Sequence, residues 1–309
     1  MDYQVLDDKQ VDEFVDRGYI CLRGGVPKDF MDEATSTFWV RVGYDAHDPA
    51  TWSENFFGMP KQRSWMPEEA APMVWGAACD LAGGPDRVVT GSWSDSFIPN
   101  FGRSSDKPYE AMTPTSAGWH LDGDEFRRYL DSPDLVLRIF SLFSDTPAKG
   151  GPTAILPESV GLIARYLNEH RDGPLSAQID QQSIAAQCRE VVELTGEAGD
   201  VFLVHPFMLH ASSPNILEMA RILHTESVKL LQPMRFDRDD PTDFSPLERS
   251  ILHAVGVDHL DYTPEGPRQV IRNHNAKRRA YIRAERKRME DLRMRTAAIS
   301  AANALHGYR

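Results

Sequence analysis

The sequence has few cysteines, no long apolar run and no excess of positive charge. Its three cysteines, Cys21, Cys79 and Cys188, are odd in number and widely spaced, so we expect neither a disulfide framework nor a structural zinc site. No apolar stretch approaches the roughly 18 residues that a transmembrane helix needs. The acidic start does not resemble a signal peptide, and we therefore expect a cytoplasmic protein.

The net charge of −12 argues against general binding to nucleic acids or anionic membranes. Positive charge is concentrated in residues 268–295, and within this segment we predict a helix over residues 277–288, which are mostly good helix formers without glycine or proline. Two interpretations of this helix stay open. In the first it is a solvated helix that packs on the acidic body or on a second subunit, and in the second it binds a phosphorylated or CoA-linked substrate.

The length and the pattern of apolar residues predict one large domain. Helices are expected at 8–17, 28–40, 68–81 and 159–170. Strands are expected at 19–22, 87–98, 117–122, 135–143, 153–156, 190–194, 200–205 and 221–230. Many short antiparallel strands with flanking helices predict a mainly β fold with a double-stranded β-helix core, a cupin-like jelly roll. We place this domain in residues 1–245.

Residues 246–309 are expected to form a helical extension that packs on the same domain or makes a homodimer.

Residues 45–67 are expected to be an irregular loop. This segment carries the aromatic residues Trp52, Phe56, Phe57 and Trp65. Such loops often close over substrates, although aromatic residues more often pack in a core.

A histidine and an aspartate two residues apart are the first sign of a metal site. In an extended segment His120 and Asp122 point to the same side and can bind one metal ion. Two histidines and one carboxylate on one face of an octahedron form the facial triad of non-heme Fe(II) oxygenases. Nearby Asp124 and Glu125 are rival carboxylates, which we interpret as acids at the pocket edge or surface.

His205 and His210 compete for the third ligand position, and their spacing alone does not decide between them. We favour His210, because His205 ends an apolar strand before Pro206 and suits a packed position behind the ligands. His210 precedes a turn-forming Ala-Ser-Ser-Pro-Asn sequence that can direct it into a cavity. Farther along, Arg221 can hold a carboxylate through two parallel hydrogen bonds, which a lysine cannot do.

Four segments together resemble phytanoyl-CoA dioxygenase-type Fe(II)/2-oxoglutarate oxygenases, over about residues 5–230. They are Arg17-Gly18-Tyr19-Ile20-Cys21-Leu22-Arg23-Gly24, Trp119-His120-Leu121-Asp122, Gly150-Gly151-Pro152-Thr153-Ala154-Ile155-Leu156-Pro157-Glu158-Ser159, and His205-Pro206-Phe207-Met208-Leu209-His210-Ala211-Ser212 with Asn215 and Arg221. The resemblance implies iron binding by His120, Asp122 and His210. It also implies that Arg221, Ser212 and an aromatic residue, Phe140, bind or adjoin 2-oxoglutarate.

The resemblance implies a reaction in which Fe(II), 2-oxoglutarate and O2 oxidise an unactivated C–H bond, with hydroxylation as the usual outcome. Desaturation, cyclisation, epimerisation and endoperoxide formation stay open. Halogenation is disfavoured, because related halogenases replace the ligand aspartate and Asp122 is present here. The chain departs from the family at Glu158 and Val160, where glycine and histidine are common, and this departure concerns the substrate rather than the iron.

We expect a small organic substrate such as a secondary metabolite, with an acyl-CoA as the alternative. Candidate substrate contacts are Trp93, Phe97, Trp119, Phe126 and Arg127, and alternative anchors for an acidic substrate are Arg103, Lys107, Arg127 and Arg128. Two other classes stay open, a catalytically silent metal-binding β-barrel and a nucleic-acid-modifying oxygenase that uses the basic tail.

Overall fold

Two antiparallel sheets carry residues that the sequence singled out, among them Phe140, His210, Ser212 and Arg221. A computed structural model describes residues 3–54, 58–102, 108–270 and 276–306, with the side chains of 276–278 and 298–306 excepted. The strands are β1 Tyr19–Leu22, β2 Ser64–Trp65, β3 Trp93–Ser94, β4 Phe97–Phe101, β5 Leu137–Leu142, β6 Thr153–Leu156, β7 Val192–Leu194, β8 Val201–Val204, β9 Leu209–Ser212 and β10 Ala220–Val228.

The larger sheet has the strand order β1-β8-β5-β10-β4, and the smaller one has the order β7-β6-β9. Strands β2 and β3 form a separate two-stranded ribbon. Every pairing is antiparallel. Strand β8 is buried at all four positions, and so is β6. This burial explains why both read in the sequence as short apolar runs without alternation.

Nine helices in the described residues flank these sheets. They are α1 Asp8–Arg17, α2 Lys28–Thr35, α3 Phe38–Val42, α4 Pro67–Ala70, α5 Pro72–Ala82, α6 Ser159–Glu169, α7 Gln181–Ala185, α8 Pro246–Val255 and α9 Ala276–His306. Helix α8 packs against α1 and α6, and α9 packs against α3. In the described part of the chain no helix is both long and apolar enough to cross a membrane.

Helix α1 has the bounds that the sequence predicts, because both of its ends are encoded locally. Asp7 and Gln10 form a capping box, in which each side chain accepts a hydrogen bond from the other residue's backbone N–H. Gly18 ends the helix with a φ of 73°, a left-handed conformation that glycine adopts without steric cost. The chain then enters β1, which pairs with β8.

Several predicted elements are wrong in detail. Residues 117–122 form no strand, since only an isolated bridge between His120 and His210 is present. Strand β9 was not predicted. The helix predicted at 68–81 is two helices, because Ala71 precedes Pro72 and leaves the helical region with a ψ of 73°. The helix predicted at 28–40 also divides, into α2 and α3.

The aromatic segment that precedes α4 contributes to the core. Trp52 is buried and stacks on Trp39, with ring centroids 6.0 Å apart. Trp65 is half-buried and meets the edge of Phe30. The other two aromatic residues singled out there, Phe56 and Phe57, lie outside the described residues. Trp52 therefore has the packing role that is common for such residues.

Candidate metal centre

Three side chains from two separate parts of the chain meet at one point. One potential ligand atom from each of His120, Asp122 and His210 lies within 4.8 Å of the other two. The backbones of His120 and His210 exchange two hydrogen bonds, of 3.0 and 3.1 Å. His210 Nε2 lies 3.4 Å from Asp122 Oδ2. The isolated bridge between His120 and His210 therefore holds the His-x-Asp segment against β9, a contact for which the sequence predicted a full strand.

Hydrogen bonds to the far side of each ring leave the same nitrogen free in both histidines. His120 Nδ1 lies 2.9 Å from the carbonyl oxygen of Gly118, and His210 Nδ1 lies 3.2 Å from that of Met208. A carbonyl can only accept, so each Nδ1 carries the proton. Each Nε2 then has a free lone pair, and backbone carbonyls that orient imidazoles in this way are typical of metal-binding histidines. The donor set thus fits a divalent metal ion.

The protonation states also suit a metal ion. Burial raises the pKa of Asp122, but its contacts with His210, Arg138 and His120 outweigh this effect and hold the pKa well below its usual value. Burial and the neighbouring His210 lower the pKa of His120. Metal ligands must be an ionised carboxylate and neutral imidazoles, and the structure favours the ionised form of Asp122 and the neutral form of His120.

The rival histidine lies away from this cluster. His205 is fully buried, and its Nδ1 accepts a 3.2 Å hydrogen bond from the backbone N–H of Phe207. Its ring packs between those of Phe14 and Phe207, and burial lowers its pKa to about 3. The structure thus brings His210 to the other two candidates, as expected. However, His210 lies inside strand β9 and is not part of the turn that follows it.

Arg221 lies on β10 and is almost inaccessible to solvent. Its Nε donates to the carbonyl oxygen of Gly151 (2.9 Å), and its two terminal nitrogens donate to Ile98 O (3.0 Å) and Ser212 Oγ (3.2 Å). Burial lowers its pKa to about 10. Among the described residues no carboxylate forms an ion pair with it. A buried cation held only by neutral groups is a ready site for an anion.

Arg221 shares one cavity with the three clustered residues. Strands β4, β5, β6, β9 and β10 all line it, and Phe140 and Ser212 contribute to its wall. The edge of Phe140 meets the ring of His210, with centroids 5.3 Å apart. The structure therefore brings together all the residues that the resemblance assigned to iron and 2-oxoglutarate.

A second cavity, of about 470 Å³, is also lined by His120 and Asp122. Trp119, Asp124, Glu125 and Gln181 are among the residues that line it. The side-chain oxygen of Gln181 accepts a 2.6 Å hydrogen bond from the backbone N–H of Leu121, which fixes the His-x-Asp segment from its middle residue. A cavity of this size suits a small organic molecule.

The other candidate substrate contacts lie elsewhere. Trp93 and Phe97 are buried and pack around His224, and they line neither of the two cavities. Phe126 is buried and also lines neither. Arg127 donates to the carbonyl oxygen of Gly173 at 2.8 Å. Of the predicted set, only Trp119 reaches the larger cavity.

The alternative anchors for an acidic substrate either line neither of the two cavities or lie outside the described residues. The guanidinium of Arg128 is fully buried and donates to the backbone carbonyls of Asp122 and Pro206. It therefore holds the backbone next to the cluster and is not free to bind a substrate. Arg103 and Lys107 lie outside the described residues. Neither arginine of the Arg127–Arg128 pair is therefore a free surface cation.

Sequence reasoning missed Arg138, which lies on β5 and lines the smaller cavity. Its Nε is 2.6 Å from Asp122 Oδ2, and its terminal nitrogens donate to Ser227 Oγ (2.5 Å) and Thr225 Oγ1 (3.2 Å). One signal was present in the sequence. Arg138 is the single charged residue in the apolar run 135–143, and a charge inside a buried strand needs a partner.

Comparisons with known proteins agree with this assembly. Residues 104–222 match the family model described as phytanoyl-CoA dioxygenase (PhyH). No curated protein matches the chain. Among solved structures, SnoK, a non-heme alpha-ketoglutarate-dependent carbocyclase from nogalamycin biosynthesis, is 15% identical with a TM-score of 0.47, covering 86% of this chain and 97% of its own.

Two further solved structures have similar scores. HygX from Streptomyces hygroscopicus, with nickel, 2-oxoglutarate and hygromycin B bound, is 14% identical with a TM-score of 0.42, covering 84% of this chain and 98% of its own. EctD from S. alaskensis, with 2-oxoglutarate and 5-hydroxyectoine, is 19% identical with a TM-score of 0.42, covering 72% and 76%. At these values the activities of the three proteins do not transfer to this chain.

The antiparallel sheets, the His-Asp-His cluster and the buried arginine are the features that the resemblance to Fe(II)- and 2-oxoglutarate-dependent oxygenases with a double-stranded β-helix core implies. The phytanoyl-CoA dioxygenase (PhyH) model covers residues 104–222, the segment that contains His120, Asp122, His210 and Arg221. This match supports the resemblance seen in the sequence over that part of the chain.

Proposed function

We propose that His120, Asp122 and His210 bind Fe(II), that Arg221 and Ser212 bind 2-oxoglutarate beside Phe140, and that the enzyme oxidises an unactivated C–H bond of a small organic molecule, by default to an alcohol. One observation carries the proposal. The three ligand atoms lie within 4.8 Å of one another in the cavity that also contains Arg221, a buried arginine that pairs with no carboxylate in the described part of the chain.

The metal site has the composition that this chemistry needs. Two imidazoles and one carboxylate leave about three of six octahedral positions free for cosubstrate and O2. When bound, iron would activate O2, which oxidises 2-oxoglutarate to succinate and CO2 with one oxygen atom and the C–H bond of the substrate to an alcohol with the other. The chain itself holds each histidine in the tautomer that exposes Nε2, and it keeps the carboxylate of Asp122 ionised.

Arg221 supplies the charge that selects a dicarboxylate. Its contacts with Gly151 and Ile98 are to backbone carbonyls, so its orientation does not depend on mobile side chains. A guanidinium binds a carboxylate with two parallel hydrogen bonds, and burial strengthens these bonds by excluding water. Ser212 already contacts Arg221 and adds a hydroxyl donor at the same place.

The substrate enters the cavity of about 470 Å³ beside His120 and Asp122. This volume lies within the range of about 300–1,000 Å³ that small-molecule sites occupy. Trp119 is a rigid apolar contact there, and its indole N–H is already used by the carbonyl of Thr113. In this position the substrate adjoins two of the proposed metal ligands, His120 and Asp122, in a cavity that Arg221 does not line.

We further propose that the enzyme works in the cytoplasm and forms a homodimer through its C-terminal helices. Burial raises the pKa of Cys21, Cys79 and Cys188 to about 11, so all three thiols stay protonated and unreactive, which suits a reducing compartment. Size-exclusion chromatography with light scattering tests the dimer. A monomer at all concentrations contradicts it.

Metal content tests the proposed ligands. His120→Ala, Asp122→Ala and His210→Ala each lose iron, whereas the control His205→Ala keeps it, because His205 lies outside the cluster. Inductively coupled plasma mass spectrometry after anaerobic loading and desalting measures the iron retained. Loss of iron in His205→Ala with retention in His210→Ala contradicts the assignment.

A further inference from the structure

Arg138 contacts the same carboxylate oxygen that faces His210. Its Nε is 2.6 Å from Asp122 Oδ2, and that oxygen is also the one 3.4 Å from His210 Nε2. A metal ion bound between Asp122 and His210 draws on the negative charge of this same carboxylate. The metal and the guanidinium therefore compete for one anion.

The contact between Arg138 and Asp122 is close but poorly aligned. The Nε–H of Arg138 is not directed at any hydrogen-bond acceptor in the described structure, so the attraction is that of two charges and lacks a good hydrogen bond. Meanwhile the terminal nitrogens are held by Ser227 and Thr225 on the neighbouring strand β10. If Asp122 turns to a metal ion, Arg138 keeps both of these bonds and stays in place.

The charges around the site favour an anion over a lone metal ion. Asp122 is the only carboxylate among the residues that line the smaller cavity, whereas Arg138 and Arg221 both line it. A third guanidinium, that of Arg128, donates to the backbone carbonyl of Asp122. A divalent metal ion adds two more positive charges to this surplus, and a dicarboxylate removes two.

We propose that Arg138 competes with the metal ion for Asp122 and so couples metal binding to the binding of an anionic ligand. The metal binds weakly alone and more tightly once a dicarboxylate has entered the cavity. By thermodynamic linkage, the metal tightens dicarboxylate binding by the same factor. The inference rests on the proposed function, because it takes Asp122 as a metal ligand and the Arg221 cavity as the dicarboxylate site.

Binding of Mn²⁺ to the full-length protein tests the proposal without turnover. Free Mn²⁺ is counted by electron paramagnetic resonance, with and without 2-oxoglutarate. In the wild type 2-oxoglutarate tightens Mn²⁺ binding. In Arg138→Met the positive charge is gone, so Mn²⁺ binds more tightly without 2-oxoglutarate, on the order of tenfold, and the tightening caused by 2-oxoglutarate shrinks.

Two controls separate charge from packing. Arg138→Lys keeps the charge, and its Mn²⁺ affinity stays close to that of the wild type. Arg171→Met removes an arginine that packs on Tyr262 and hydrogen-bonds to Asn168, away from the site, and it leaves Mn²⁺ binding unchanged. If Arg138→Met does not fold, Arg138→Gln removes the same charge and keeps a hydrogen-bonding group for Ser227.

Three outcomes overturn the inference. If Mn²⁺ binding in folded Arg138→Met or Arg138→Gln is equal to or weaker than in the wild type, Arg138 supports the carboxylate and does not compete for it. If Arg138→Lys shows the same tightening as the charge-removing variants, charge is not the cause. If the wild type binds no Mn²⁺ with or without 2-oxoglutarate, the proposed function itself fails.

Discussion

Burial and close neighbours set the properties of the single residues at this site. Arg221 is the most consequential, because its guanidinium is buried and its described contacts are all neutral groups. Arg221→Ala is expected to keep iron and to weaken 2-oxoglutarate binding by about 1.5–3 kcal/mol, the usual contribution of a hydrogen bond to a charged group. Isothermal titration of the Mn²⁺-loaded protein measures this loss.

The matched control for that variant is Arg249→Ala, which removes an exposed arginine that pairs with Asp12. It is expected to leave 2-oxoglutarate affinity unchanged. Loss of iron in Arg221→Ala contradicts the separation of metal and cosubstrate roles, and so does unchanged 2-oxoglutarate affinity.

His205 gives a prediction about pH. Burial lowers its pKa in the folded protein to about 3, while in the unfolded chain it is about 6.5. The unfolded chain therefore binds the proton first, and stability that is present above pH 6.5 is lost as the pH falls towards 3. Between pH 7 and pH 5 this amounts to about 2 kcal/mol in the free energy of unfolding.

Urea denaturation at several pH values measures the effect, with His205→Gln as the comparison, since glutamine does not titrate. The free energy of unfolding of the wild type is expected to fall more steeply with acid than that of the variant. Parallel slopes contradict the account of His205 as a buried neutral residue.

Most of the residues that meet at the candidate site were picked out from the sequence, but Arg138 was not. His120, Asp122, His210 and Arg221 are side chains whose chemical types and order point to the site. Arg138 depends on the register of β5 against β10, which pairs it with Ser227. Pairing between distant strands is not encoded locally, so the partner of Arg138 was not predictable.

Among the structural elements, the turn before β6 links backbone conformation to cosubstrate binding. Gly151 has a φ of 75°, and a Cβ there meets Asn100 Nδ2 at 2.6 Å and the Cβ of Asn215 at 2.9 Å. Its carbonyl oxygen also holds Arg221. We therefore expect Gly151→Ala to destabilise the fold and to weaken 2-oxoglutarate binding, although it changes no ligand.

Gly256→Ala is the matched control for that turn. Gly256 also has a positive φ, of 84°, at the end of α8, but nothing lies within 4 Å of a Cβ built there. Gly256→Ala is therefore expected to lose about 1–2 kcal/mol in the free energy of unfolding, because alanine is strained in the left-handed conformation, but the added Cβ causes no steric clash. Thermal unfolding and 2-oxoglutarate titration of both variants separate the effects, and equal losses of affinity contradict the role given to Gly151.

The elements themselves were predicted best where their signals are local. Helix α1 has caps at both ends, and β6 is a short apolar run bounded by Pro152 and Pro157, so both have the predicted bounds. The segment 117–122 lacks a partner strand apart from one bridge. Strand β9 follows closely on Pro206 and exists because it pairs with β6. Both the strand wrongly predicted at 117–122 and the missed strand β9 depend on pairing with distant strands, which the local sequence does not show.

On the scale of the whole molecule, one buried ion pair fastens the C-terminal helix to the body. Arg41 on α3 and Glu285 on α9 are 2.6 Å apart, and neither side chain is accessible to solvent. Arg41 also pairs with Asp95 at 3.1 Å. Glu285→Ala leaves a buried cation with one partner fewer, so we expect a loss of about 3–5 kcal/mol in the free energy of unfolding.

The control for that pair is Asp32→Ala, which breaks the exposed pair with Lys28 and is expected to change stability little. A similar small change in Glu285→Ala contradicts the tight packing of α9 on the body. The division into a catalytic domain at residues 1–245 and a helical extension at 246–309 stays a prediction, and limited proteolysis with mass spectrometry tests it.

In the proposed function, one cavity binds both iron and 2-oxoglutarate. The most direct measurement is anaerobic titration of the Fe(II)-loaded protein with 2-oxoglutarate, following the weak visible charge-transfer band of a keto acid chelated to ferrous iron. We predict the band in the wild type and in His205→Ala, and its loss in His210→Ala. An iron-replete wild-type protein that gives no band contradicts the claim and favours a catalytically silent metal-binding β-barrel.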